Sequence, residues 1–162
     1  MATEAERLSL LEARLALEEL NTDFCFYLDH GRIDLLLGLF TEDATYIHGT
    51  RHSEGLAAIA AVFEKRGAAG PRTARHLYSG LRIQFQAPDR ASGSSVCMTF
   101  ASQGKPPLVP ANPHLVADFF DEYVRGKDGK WRISKRRIDR IFVAADNPGP
   151  VGQTAENTRL QP

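Results

Sequence analysis

Apolar residues recur near the start of the chain as Leu8, Leu11, Leu15, Leu17, Leu20, Phe24 and Leu28, mostly three or four positions apart. That spacing stacks them along one face of a long helix. Thr3 followed by Glu6 has the form of a capping box, which predicts a start near residue 3. Gly31, after Asp29-His30, supplies the left-handed residue that ends helices, so the stop is expected just past Leu28. A second, short helix is expected from about 33 to 40, then a turn at Thr41-Glu42-Asp43 and a strand over 44–48. A third helix opens at Ser53 or Gly55, carries Leu56, Ile59, Ala60 and Phe63, and ends in the small-residue run 67–71.

After Pro71 the period changes to two. Strands are predicted over 73–86 with Leu77, Leu81, Ile83 and Phe85, and over 94–101 with Val96, Met98 and Phe100. Two more run over 115–124 and from Trp131 to about Phe142, joined by an Asp128-Gly129 hairpin signal. The proline-rich run 105–113 lacks the donors of a central strand and is a loop. Helices followed by long strands give an α+β class. The expected form is a cone-shaped, curved, mixed or antiparallel sheet wrapped around the N-terminal helix, with one open mouth and a concave apolar pocket. The domain is expected to span 1–146. The polar, turn-rich 147–162 is expected to be a tail, or an arm laid on a neighbour.

Charge narrows the function classes. Lys plus Arg and Asp plus Glu both number 20, so the 162-residue chain carries no net charge. It lacks the basic excess expected of a nucleic-acid or membrane-surface binder. Cys25 and Cys97 are too few for a disulfide framework or a metal knuckle. No apolar run approaches the ~20 residues of a bilayer span, and Glu4 and Glu6 stand where a signal peptide has bases. These features predict a soluble, cytoplasmic protein.

Four residues are candidates for chemistry. Asp29 closes the apolar and aromatic run Phe24-Cys25-Phe26-Tyr27-Leu28 at a helix C-terminus, where burial and dipole both raise a carboxyl pKa unless a donor or cation is near. Its competing role is a solvated turn with His30-Gly31. His76 opens a long strand, and strand alternation sets it opposite Leu77, Leu81, Ile83 and Phe85. Either a bulge changes that parity or both faces are covered. Arg136 and Arg140 share the parity of Ile138 on the last strand and would suit an anion if they face inward; the alternative is a charged outer face. His48 and His52 flank Gly49-Thr50, with no acidic residue at zincin spacing, so no metal is expected. No dinucleotide or phosphate-loop glycine motif and no serine-hydrolase elbow occurs.

Taken together, these features resemble the SnoaL-like branch of the nuclear-transport-factor-2-like superfamily, over about residues 5–148. The resemblance rests on Tyr27-Leu28-Asp29-His30-Gly31, Thr41-Glu42-Asp43-Ala44, Arg75-His76 and Asp121-Glu122-Tyr123 leading to Asp128-Gly129-Lys130-Trp131. Within it the chain is most similar to the group of scytalone dehydratase, hexachlorocyclohexane dehydrochlorinase and bile-acid 7α-dehydratase. The resemblance implies that Asp29 and His76 pair, that His76 faces the cavity, and that Arg136 or Arg140 assists. Phe24 departs from the pocket lysine or tyrosine of those enzymes, and Thr99 from a carboxylate.

The expected activity is therefore that of a lyase or isomerase, needing no cofactor and acting on a small, hydrophobic molecule, cyclic ones included. His76 is the expected base, oriented by Asp29, with Phe24, Tyr46, Tyr78 and Phe119 as pocket walls. The alternatives are a small-molecule-binding or assembly module, or a small subunit of a ring-hydroxylating dioxygenase. An apolar outer sheet face formed by Leu77, Leu81, Ile83 and Phe85 would favour a homodimer or homotrimer.

Overall fold

The computed structural model describes residues 3–145, so the tail expected at 147–162 lies outside the described residues. Helix α1 (Glu4–Asp29) starts at the capping box. The Thr3 hydroxyl accepts from the Glu6 N–H at 3.2 Å, and Glu6 Oε2 accepts from the Thr3 N–H at 2.7 Å. At its other end Gly31 adopts φ +66°, which lets the Arg32 N–H turn back to donate to Tyr27 O at 2.9 Å. Burial on α1 begins at Ala13 and continues through Leu17, Leu20 and Phe24, while Leu8, Leu11 and Leu15 of the expected stripe stay exposed.

Helix α2 (Ile33–Leu37) is shorter than expected, because Phe40 leaves it to begin strand β1 (Phe40–His48) opposite Ile133. Strand β2 (Arg51–Glu54), which the apolar pattern does not reveal, folds back antiparallel on β1. Helix α3 (Leu56–Ala68) then leads to β3 (Arg72–Ala87), β4 (Arg90–Gln103), β5 (Leu115–Arg125) and β6 (Trp131–Val143). The sheet order is β2-β1-β6-β5-β4-β3, antiparallel throughout except where β1 and β6 run parallel. It is thus a mixed sheet, curved but not closed, with β2 and β3 at its edges.

The inner face packs on α1 and α3 through an aromatic cluster. Phe24 meets Phe40, Phe63 and Phe119 edge-on at centroid distances of 6.0, 6.4 and 6.4 Å, and Tyr46 meets Phe63 at 5.5 Å. Fully burying one such ring stabilises the fold by about 1.5–3 kcal/mol, and edge-on packing fixes how the rings sit.

Strand β3 contains the bulge that reconciles its two patterns. Ser79 pairs with Val96 but Arg82 with Ser94, so β3 has one residue more than β4 across that interval. Gly80, at φ +69°, takes the strain of the insertion. Before it, Ala74, His76 and Tyr78 point inward and Leu77 outward; after it, Leu81, Ile83 and Phe85 turn to the core. The expected outer row is corrected accordingly. Leu77 aligns instead with Met98, Val116 and Phe142 across β4, β5 and β6.

Candidate functional site

The end of α1 and the start of β3 bring Asp29 and His76 together across 47 positions of sequence. Asp29 Oδ2 accepts the His76 backbone N–H at 2.7 Å, and Oδ1 lies 2.5 Å from His76 Nδ1. Both side chains are nearly buried, at 5% and 9% exposure. Burial alone would raise the Asp29 pKa, but the ring and backbone hydrogen bonds from His76 outweigh it and hold the carboxyl below its ordinary value. An ionised carboxylate only accepts, so Nδ1 carries the proton of this contact and the lone pair of the neutral ring resides on Nε2.

His76 forms part of the wall of a cavity of about 700 Å³. Its apolar lining includes Phe24, Leu28, Phe63, Leu115, Phe119 and Ile138, with Thr99 beside His76 on the neighbouring strand. Tyr46 also lines it; burial pushes its phenol pKa up, which keeps the hydroxyl protonated. Two further histidines, His48 and His114, reach the same space. Burial, reinforced by the charges of Arg140, Arg51 and Arg66, lowers the His48 pKa to about 4. His48 is therefore neutral near pH 7.

Three expectations are corrected. Arg136 is fully buried outside the cavity wall, because the β5–β6 register sets it against Asp121. Its Nε and Nη2 donate to the two Asp121 oxygens, both at 2.8 Å, and Nη2 also meets Asn21 Oδ1. Asn21 Nδ2 and the Asp121 carboxylate are tied in turn to the Tyr123 hydroxyl. The Phe24 and Phe119 rings cover the guanidinium at 4.2 and 4.8 Å and stand between it and the cavity. Arg140 stays on the inner face, opposite Ala117, and acts on His48 through its charge, but it does not line the cavity. Tyr78 donates to Glu18 on α1 at 3.0 Å and is likewise not a wall residue.

Register also separates the two histidines that invited a metal reading. His48 pairs with Arg51 and Ile47 with His52, so His48 and His52 lie on opposite faces of the β1–β2 hairpin. His52 is exposed, 3.5 Å from Glu54.

Sequence reasoning missed Arg51, Lys65, Arg66 and Arg72, which line the cavity from three different elements. Arg72 shares the parity of His76 on β3, and that signal was present in the sequence. Lys65 and Arg66 read as an ordinary basic end of α3.

The sequence model of a family described as a SnoaL-like domain matches residues 9–137. Among solved structures, the chain is similar to a protein from Novosphingobium aromaticivorans provisionally described as a scytalone dehydratase, at 23% identity and TM-score 0.79, covering 94% of this chain and 98% of that one. LinA gives 22% identity and TM-score 0.73 over 86% and 94% of the two chains. An NTF2-like protein with a cystatin-like fold, also from Novosphingobium aromaticivorans, gives 24% and 0.72 over 88% and 90%. At these identities the likeness is one of fold. Comparison with curated proteins gives no match.

Proposed function

The chain belongs to the SnoaL-like domain family, and from that premise we propose that it is a lyase or isomerase that uses His76 as a general base and requires no cofactor. The observation that carries this reading is the pairing of Asp29 with His76 at the wall of a largely apolar cavity. His76 Nε2 takes a proton from a substrate carbon. The C–H electrons form a carbon–carbon double bond, and a group on the adjacent carbon departs with its bonding pair. In the isomerase variant the proton is returned at another carbon and nothing leaves. Asp29 holds the tautomer and stabilises the imidazolium that forms, and a base positioned in this way contributes about 10²–10⁴-fold. Tyr46, protonated and in the cavity wall, can donate to a departing oxygen or to a developing enolate.

The test is a panel of small alicyclic β-hydroxy ketones and halides. Conjugated product is followed by ultraviolet absorbance, and deuterium uptake from solvent by NMR. Turnover or exchange that falls about 10²–10⁴-fold in His76→Ala supports the reading. Turnover indifferent to His76→Ala, or binding across the panel with neither elimination nor exchange, overturns it in favour of a binding module.

A further inference from the structure

The cavity wall is charged in one sense only. Arg51 from β2, Lys65 and Arg66 from α3 and Arg72 from β3 all line it, and among the described residues no aspartate or glutamate does. Asp29 is covered by His76 and committed to it. In a chain with 20 cations and 20 anions such sorting is local, not compositional. Among the described residues none of these four cations is in an ion pair, although carboxylates pair with Arg14, Arg32, Arg132, Lys135, Arg136 and Arg137 elsewhere in the fold.

Helix-dipole compensation accounts for Lys65 and Arg66, which stand in the last turn of α3. It does not account for Arg51 and Arg72, which come from strands. Arg72 Nε is moreover buried with no hydrogen-bond partner among the described residues, an arrangement that is costly for a charged group. Burial, and after it the charge of Arg66, lowers the Arg72 pKa, so two neighbouring guanidinium groups repel each other in a half-dry setting. An anion between them would relieve the repulsion and satisfy the orphan donor together.

We propose that Arg66 and Arg72, supported by Arg51 and Lys65, form an anion subsite in this cavity, and that the substrate pairs an apolar ring body with one anionic group, a carboxylate or a phosphate ester. Lys65 and Ala69 are exposed where they line the cavity, so this wall opens to solvent. The anionic group stays at this rim while the ring body packs against Phe24, Phe63 and Phe119. The proposal deepens the reading of the same site given above, and a binding measurement tests it without any turnover.

The experiment is calorimetric titration of the full chain with 2-naphthoate, its neutral methyl ester and 2-naphthyl phosphate. An acid bound about tenfold or more tightly than the ester is the expected result. Arg66→Gln and Arg72→Gln should bring that ratio near one without weakening the ester, while Arg72→Lys preserves most of it. His76→Ala should leave the ratio intact, so a failed base reading and a failed anion site give different results. If Arg72→Gln does not fold, the exposed Lys65→Gln still tests the site, with an expected fall of about two- to fivefold in the ratio. A preference for the phosphate or for the carboxylate identifies which anion the site takes. Equal binding of acid and ester, binding of neither acid, or a ratio that survives the arginine substitutions overturns the proposal.

Discussion

Asp29 holds His76 at two points, one carboxylate oxygen on the ring Nδ1 and the other on the backbone N–H of the same residue. The second bond fixes where the first part of β3 stands relative to the helix end. The first then has only the ring's rotation left to settle. Orientation of the imidazole is thus built from a main-chain contact and a side-chain contact sharing one carboxylate.

Asp29→Asn should separate these two contacts. The amide oxygen can still accept the His76 N–H, but the amide nitrogen donates to Nδ1 and turns the tautomer over, placing the proton on Nε2. Nitrogen-15 NMR of the imidazole should show Nδ1–H in the parent and Nε2–H in the variant, with nearly unchanged melting. Any proton-abstraction activity should fall about 10²–10⁴-fold. A variant with the parent tautomer contradicts this.

The Arg136–Asp121 pair should behave as a structural element. Arg136→Met alone leaves the Asp121 carboxylate buried without its cation and should cost about 3–5 kcal/mol in denaturant unfolding. Pairing it with Asp121→Leu should recover a large share of that loss, since apolar replacement of a whole buried pair is often tolerated. Equal destabilisation by single and double variants would contradict it.

Lowered proton affinity at His48 makes stability depend on pH. The folded state disfavours the proton, with a pKa of about 4 against 6.5 for the free side chain. The unfolded chain therefore binds more protons between these values, and stability declines as pH falls from about 6.5 to 4, by at most about 1.4 kcal/mol per pH unit. His48→Gln should show a shallower decline over that window in melts at stepped pH. Asp29 adds a loss of the same sign, but below the ordinary carboxyl range and in both proteins.

Gly80 is a backbone requirement, not a packing one. A Cβ there would meet nothing within 4 Å, so Gly80→Ala tests the left-handed conformation alone. It should destabilise by about 1 kcal/mol or somewhat more in chemical denaturation. Deleting Gly80 is expected to be milder than an ordinary strand deletion, because Tyr78 and Leu81 would then stand two apart, both still facing inward, with Leu81 opposite Ser95 in a regular ladder.

Much of this architecture was readable wherever a local chemical device marks it. Thr3 with Glu6, the glycine after α1 and Asp128-Gly129 all stand where their chemistry predicts. Strand β2 escaped notice because Arg51-His52-Ser53-Glu54 has no apolar alternation and is held by pairing with β1. Leu35 to Phe40 is apolar throughout, and composition does not say where helix yields to strand; the pairing of Phe40 with Ile133 decides it. Asn21 had a faint signal, one amide within the face of Leu17, Leu20 and Phe24, yet its partner Arg136 is 115 positions away. Apart from Arg72, which shares the parity of His76 on β3, the basic cavity wall has no local signature, since its members come from three elements.

The inserted glycine makes β3 two rulers laid end to end, out of step by one mark. Ahead of it the even-numbered residues belong to the cavity and to α1; behind it Arg82, Gln84 and Gln86 are even-numbered and exposed. Tolerance to substitution along this strand should therefore alternate, skip a beat at Gly80, and resume in the opposite phase. The same kind of change, a charge placed at an even position, would be a lesion near His76 and a harmless surface edit a few residues later.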